Sequence, residues 1–416
     1  MTHIARLPTV AHFDPYAVRA QFPCLHQEVN GHPLVFLDSA ASAQKPQAVL
    51  DALMHAYAHN YANVHRGVYS LSDRATQQFE AVREKVRAFI HAASEKEIIF
   101  TRGATEGINL VAHSYGMTHL KEGDEILITA IEHHANIVPW QEVAKRTGAE
   151  LRVAPILDSG ALDEDAFFAM LSERTKMVAI THMSNALGTI LPVERIIRAV
   201  HKMGAVVLVD ACQSAVHDVL DVQQMDCDFL VFSGHKLYAP NGTGVLYGKY
   251  NLLESMPPYQ MGGEMITNVT FEKSDFQAPP LRFEAGTPVI AEVIAFGAAL
   301  DYLSTFDRHA IARHEVQLAE AARDVLHSMQ GFRMMGEAPH RGAIVSFTHA
   351  HAHANDIGFV LDKCGIAVRT GHHCAQPLMA RLGVPATARA SFAMYNIAED
   401  VEAFARGLHK VQKMFG

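Results

Sequence analysis

VVLVDACQSAVHDVLDVQQMDCDFLVFSGHK, residues 206–236, contains the two apolar runs around which the chain is organised. The runs 206–209 and 229–232 are each long enough for a strand buried on both faces and too short for a helix. Both end in polar chemistry: Asp210 and Gln213 follow the first, and Ser233, His235 and Lys236 follow the second. If the two strands are parallel in one sheet, these residues emerge at its carboxyl edge, where open α/β sheets bind ligands. A lysine just beyond a buried strand, facing an acid that ends a neighbouring strand, meets the needs of pyridoxal phosphate chemistry. The lysine forms the Schiff base, and the acid keeps the pyridine nitrogen protonated so that the ring can accept electrons. Taken singly, each position reads equally well as a cap or a solvated turn; their order along the chain is what points to a site.

At 416 residues the chain exceeds one ordinary core, so two domains are expected. Apolar content of 49% with 19% charged residues is that of a soluble globular protein. A net charge of −9 argues against nucleic-acid or membrane-surface binding, which rests on clustered Lys and Arg. The stretch 1–18 lacks the apolar core of a signal peptide and no later run is long enough to span a bilayer, so a cytoplasmic location is expected. Cys24, Cys212, Cys227, Cys364 and Cys374 are odd in number, widely spread and without CxxC spacing, which suits reduced thiols better than disulfides or a metal site. His349, His351 and His353 alternate and would share one face of a strand. With no acid or cysteine forced nearby, they read as a polar strand face or loop, and no metal site is expected.

An arm over 1–35 contains a short helix at 14–21 with Asp14 as its N-cap. A strand at 34–37 leads into Asp38 and the small residues up to Ser42, a turn that lets backbone approach a ligand. Helices follow at 46–57 and 73–90, with His65 and Arg66 in the loop between them as possible substrate contacts. After a strand at 97–100, Gly103 permits a tight turn, and Thr105 is expected to cap a helix opening near Glu106 whose free N–H groups suit an anion. The loop is neither a Walker loop nor a GxGxxG fingerprint. Strands at 125–130, 151–155 and 177–181 continue the β/α alternation. His133, after the first of these, could lie flat on an aromatic ring and move protons near neutral pH. Asn185, past the third, could meet a carboxylate or a phenolic oxygen.

A strand at 243–248 follows Lys236, and 256–288 reads as loops, ending in Gly286 and Thr287, a tight segment suited to a phosphate. Helices at 291–304 and 307–329 lead to a second alternation: strand 343–348, helix 355–364, strand 366–369, strand 388–393, and a last helix opened by Asn396. The expected division is an arm over 1–35, a large cofactor domain over 36–290 and a small domain over 291–416. The small domain carries RTGHHCAQP, residues 369–377. There Cys374 lies among histidines and arginines that favour a thiolate, the nucleophilic form. Arg389, on the strand after it, is a candidate clamp for a substrate carboxylate.

The set VDACQS, FSGHK, EHHAN, FEAGTP, RTGHHCAQP and RASF resembles the cysteine desulfurases of the SUF type, group II, within the fold-type I pyridoxal phosphate enzymes. The resemblance runs over nearly the whole chain in matching order, and the GHHCA loop is its most specific part. It implies a large domain with a mostly parallel seven-stranded sheet flanked by helices, a smaller α/β domain, and a homodimer. It also implies roles. Lys236 would hold the cofactor and shuttle the proton, Asp210 would pair with the pyridine nitrogen and Gln213 with the ring hydroxyl, and His133 would stack on the ring. Thr105, Ser233 and His235 would bind the phosphate, with Thr287 reaching in from a partner subunit. Arg389 and Asn185 would position the substrate carboxylate, with Arg369 and His65 as further substrate contacts. Cys374 would take sulfur from L-cysteine, leaving L-alanine and a persulfide that passes to an acceptor protein for iron–sulfur cluster assembly. Ala104 stands where such enzymes often carry a hydroxyl, and the alternating histidines have no counterpart in the family.

Two other readings differ in chemistry. A selenocysteine lyase or cysteine sulfinate desulfinase of the same family could dispense with Cys374, and relative turnover of the three amino acids separates these from a desulfurase. A sulfur-binding scaffold without catalysis would not take up pyridoxal phosphate, which the pairing of Lys236 with Asp210 argues against.

Overall fold

The computed structural model describes residues 13–416. The reading of 1–12 as free of a signal peptide therefore lies outside the described residues. Seven strands form the main sheet: β1 (Ile98–Thr101), β2 (Glu125–Thr129), β3 (Glu150–Ala154), β4 (Thr175–Thr181), β5 (Val206–Asp210), β6 (Phe229–Ser233) and β7 (Gly244–Gly248). Their order is β1-β7-β6-β5-β4-β2-β3, and only β7 runs antiparallel to its neighbours. The chain between β6 and β7 is too short for the crossover that a parallel pair needs, so β7 must return alongside β6.

Successive side chains of these strands go to opposite faces. Val207, Val209, Leu230 and Phe232 join one hydrophobic cluster, while Leu208, Phe229 and Val231 join another. Both faces are covered, and for that reason the strands read as unbroken apolar runs. The helix Ile290–Ser304 packs on Gln47–His59 and Ser70–Phe89 over one face.

A second sheet contains β8 (Phe332–Met335), β9 (Ile344–His349), β10 (Arg369–Gly371) and β11 (Thr387–Ser391) in the order β8-β9-β11-β10, all antiparallel. The helices Arg308–Ser328, Ala354–Asp362 and Ala398–Phe415 supply Leu318, Leu361 and Phe404 to its core. The early chain is stitched to the late chain. Val35–Phe36 pairs in parallel with Ile366–Ala367, Asp38 bridges to Ser391, and Arg19 donates to Asp400 at 3.1 Å. Asp38 thereby arrives at the seam between the two sheets.

Several expectations need correction. The helix after β1 opens at Ala104, with Gly103 at φ +150° as N-cap, so Thr105 lies inside the first turn and caps nothing. A Cβ on Gly244 would come within 2.4 Å of the Gly103 Cα, so this approach of two backbones requires glycine. The segment 256–288 is not all loop, for Ile266–Val269 and Ser274–Phe276 form a hairpin. The expected strand 366–369 is two short strands in different sheets. The terminal helix is capped at Ile397, while Asn396 donates to Asp400 and Phe36. The alternating histidines do not share a strand face either. β9 ends at His349, the chain bends at His351, and His353 is the N-cap of the helix Ala354–Asp362.

Candidate active site

The main sheet builds one half of the site from strand ends. In register, Thr181 of β4 lies beside Asp210 of β5, which lies beside Val231 of β6, so three carboxyl ends open on one edge. Asp210 is buried, and one carboxylate oxygen accepts from the Cys212 N–H at 2.9 Å. Ser233 Oγ accepts from the Ala104 N–H at 2.9 Å, joining the end of β6 to the helix start after β1. Gln213 donates to the Ala40 carbonyl at 2.9 Å. Lys236 ends the single turn Gly234–Lys236, which is anchored where the His235 carbonyl accepts from the Ala43 N–H at 3.1 Å and from Lys45 Nζ at 3.3 Å.

His133 is oriented by its own backbone. Its Nδ1 accepts from the Ala135 N–H at 3.0 Å, so the proton of the neutral ring sits on Nε2. Burial, reinforced by the Lys236 charge, pushes its pKa down to about 4, which keeps the ring neutral near pH 7. Behind it, the buried Glu132 accepts from the Thr129 hydroxyl (2.6 Å), the Asn136 amide (2.8 Å) and the Thr181 N–H (3.0 Å). This carboxylate ties the ends of β2 and β4 together. Burial raises its pKa to about 7.

The second sheet builds the other half. Beyond β10 the backbone turns through His373 and Cys374, at φ 52° and 54°, and leaves Cys374 exposed. Hydrogen bonds from both halves hold the turn. Cys374 N–H donates to His372 Nδ1 (3.2 Å), and the Cys374 carbonyl accepts from the His134 N–H (2.7 Å). The His373 carbonyl accepts from the Asn185 amide (2.7 Å), and Gln376 N–H donates to His134 Nε2 (3.0 Å). Three of these cross to the main-sheet half. His373 is buried, its Nε2 lies 2.8 Å from Thr387 Oγ1, and burial together with the Arg389 charge pushes its pKa down to about 3.

On β11, Arg389 is buried and donates to the Asn185 carbonyl (2.7 Å) and to Asp38 (3.2 Å), while its Nε has no partner among the described residues. Burial lowers its pKa to about 10, so the guanidinium stays charged. Arg369 lies 3.5 Å from the other Asp38 oxygen.

The halves enclose one cavity of about 450 Å³. Lys236, Asp210, Gln213, His133, Thr105, Ser233, His235 and Asn185 line it from one side, and Arg369, Arg389 and Cys374 from the other. Two candidates do not join them within the chain. His65 is held between Glu80 at 2.8 Å and Glu264 at 3.2 Å, which raise its pKa, and it lines a separate cavity of about 190 Å³ together with Thr287. The expectation that His65 contacts substrate does not hold within one chain, because two carboxylates take both its ring nitrogens. Asn185 also differs from expectation, since its amide nitrogen is engaged with the cysteine loop.

Residues 35–404 match the family Aminotransferase class-V. The chain is 52% identical to the cysteine desulfurase of Dickeya dadantii over 98% of this chain and 99% of that one. In structure it is similar to the cysteine desulfurase CsdA of Escherichia coli in an S-sulfonic acid form (TM-score 0.90, 42% identity, 97% and 100% of the two chains). It is likewise similar to a cysteine desulfurase of Thermococcus onnurineus (TM-score 0.92, 35% identity, 98% and 100%). The chain belongs to the cysteine desulfurases of the class-V aminotransferase family.

The desulfurase is a pyridoxal phosphate enzyme, and its cavity fits that group. A single amine, a buried carboxylate, a neutral imidazole, hydroxyls beside a helix start, and a buried guanidinium with a free N–H are the donor set that the cofactor and an amino acid need together. Among the other lining residues of the desulfurase, Asp38, Thr181 and Cys212 carry polar groups to which the sequence reading assigned no role of their own. Asp38 had a usable signal, for it ends an apolar run in LVFLD as Asp210 ends VVLVD.

Proposed function

We propose that this desulfurase converts L-cysteine to L-alanine with Cys374 as sulfur acceptor, and hands the sulfur to an acceptor protein of iron–sulfur cluster assembly. The observation that carries the reading is that Lys236 and Cys374, from different sheets and distant in sequence, line one cavity. Lys236 would hold the cofactor, Asp210 would keep its pyridine nitrogen protonated, Gln213 would meet the ring hydroxyl, and His133 would cover the ring. Ser233, His235 and Thr105 would bind the phosphate, joined by Thr287 of the partner subunit in a homodimer. Bound there, pyridoxal phosphate supplies the electron sink that lets the carbon–sulfur bond break.

The chain's own groups do the rest. Arg389, helped by Arg369, binds the substrate carboxylate through the guanidinium donors left free, and the Asn185 amide holds the cysteine loop across the cavity. The Cys374 thiolate forms a bond to the substrate sulfur as the bond from that sulfur to the β-carbon breaks. The carbon keeps the electron pair, a proton delivered by Lys236 completes alanine, and the extra sulfur stays on Cys374 as a persulfide. The wording of the GHHCA loop supports the SUF type. Separate hydrophobic clusters beside the two sheets support a large domain over 36–290 and a small domain over 291–416, although the helix Ile290–Ser304 packs with the large one, and the ion pair of Arg19 with Asp400 supports an arm that meets the small domain. Among the described residues no helix is long and apolar enough to cross a membrane, which is in keeping with a cytoplasmic enzyme.

The test supplies L-cysteine and a reductant and measures alanine and sulfide. Wild-type enzyme is expected to form both in step, and Cys374→Ala to lose sulfide release. Undiminished sulfide from Cys374→Ala would show that another group accepts the sulfur.

A further inference from the structure

The loop that carries Cys374 meets one residue of the main-sheet half twice. The His134 N–H donates to the Cys374 carbonyl at 2.7 Å, and the His134 ring accepts at Nε2 from the Gln376 N–H at 3.0 Å. Gln376 is the first residue of the helix Gln376–Arg381, whose N-cap Ala375 has no side chain to bond that N–H, so the imidazole caps the helix from another part of the chain. His134 itself is firmly seated. It opens the single turn His134–Asn136, and the Asn136 side chain is fixed by Glu132 on one side (2.8 Å) and by the indole N–H of Trp140 on the other (2.9 Å). A ring nitrogen that accepts from a backbone N–H carries no proton, which places the proton of the His134 ring on Nδ1. A proton on Nε2 would set N–H against N–H and break the cap. The titratable groups around His134 are His372 of the loop, ring to ring 5.5 Å, Cys374, whose carbonyl it binds, and His133 on its own segment at 6.3 Å. Arg381, at the far end of the capped helix, is paired with Asp158. Burial and the His372 charge lower the His134 pKa below the ordinary 6.5.

We infer that His134 is a positioning residue for Cys374: its backbone and its ring clamp the loop at two points, and the ring half of the clamp holds only while Nε2 carries no proton. The clamp bears on turnover through the reading of Cys374 as sulfur acceptor, on which the inference rests in that respect, but it is measurable without substrate. The other histidines nearby do not imitate it. His133 and His373, with pKa values pushed down to about 4 and about 3, stay neutral at pH 5. His372 binds the Cys374 N–H within its own turn and ties nothing to the main-sheet half. The closed loop is therefore fully favoured above pH 6.5, the ordinary value, and loses ground as pH falls below it.

The experiment follows amide hydrogen exchange of the holoenzyme by mass spectrometry at pH 7.5 and pH 5, expressed as protection relative to the intrinsic rate at each pH. In wild type, protection at Gln376 is expected to fall about tenfold on acidification, the factor that one unit of pKa depression confers on a closing equilibrium. His134→Gln, whose side-chain oxygen reaches the place of Nε2 and does not titrate, is expected to show the same protection at both pH values. His134→Leu, with no acceptor, should exchange fast at both. His372→Asn should keep the wild-type acid response. Wild-type protection that ignores pH, or an acid response that survives in His134→Gln, would overturn the inference. Should a variant lose protection across the whole main sheet, the wild-type pair of pH values and His372→Asn still decide the matter. Cys374→Ala separates the two readings: it should leave the acid response of the loop in place, whereas its sulfide release tests Cys374 as acceptor.

Discussion

Asp210, Ser233 and Lys236 leave strands whose residues are buried almost from end to end, whereas Cys374 leaves a three-residue edge strand and turns through two left-handed residues into solvent. On the first side the strands take their backbone partners from a ladder, so the side chains at their ends are placed once the sheet forms. On the second side a few hydrogen bonds hold a turn whose two non-glycine residues at positive φ each cost on the order of 1 kcal/mol. The contrast suits the chemistry. The cofactor end must keep charges in fixed places, while the thiol end must meet a substrate and later give its sulfur away, which favours a segment of low local stability.

Substitutions on the two sides should therefore differ in kind. Lys236→Ala, on the rigid side, is expected to lower kcat by about 10³-fold or more and to stop the protein retaining its yellow cofactor through gel filtration. Turnover within tenfold of wild type would mean that another amine carries the cofactor.

A second contrast concerns pH. The His373 imidazole has a folded pKa near 3 against an ordinary value of 6.5, so the unfolded chain takes up a proton that the folded loop refuses. Its contribution to stability is complete above pH 6.5 and is lost as pH falls toward 3; between pH 7 and pH 5 the loss is about 2 kcal/mol. Urea midpoints of wild type and His373→Gln at those two pH values should show a smaller drop in the variant. Equal drops would assign the acid sensitivity to other groups.

The smallest effect belongs to the tie across the cavity. Asn185→Ala removes the 2.7 Å hydrogen bond to the His373 carbonyl, a loss of about 1 kcal/mol. Alkylation of Cys374 by iodoacetamide should speed up about fivefold, the factor that such an energy confers on an opening equilibrium. An unaltered rate would show that the His134 bonds alone hold the loop.

The strands of the main sheet were legible because burial on both faces writes itself as a short apolar run, and the polar residue ending each run marks the edge where it emerges. The hairpin within 256–288 was not, since nearly all its residues are exposed and no face carries a pattern. The helix starts at Ala104, two residues before the position its sequence suggests, because its cap is a glycine with no side chain to recognise. Locally, Asp38 reads as part of a turn. Its pairing with Arg389 links the beginning of the chain to its end, and no local rule connects them.

Residue chemistry was thus settled by the order of letters: an amine after one buried strand, an acid after its neighbour, and a thiol in a polar loop, all of which follow from short-range sterics and solvation. Their convergence on one cavity, the retreat of His65 and Thr287 to another, and the balance of two guanidinium groups against one carboxylate came from the packing of two sheets across a seam. Such long-range contacts arise from the joint burial of many side chains, and no single stretch encodes them.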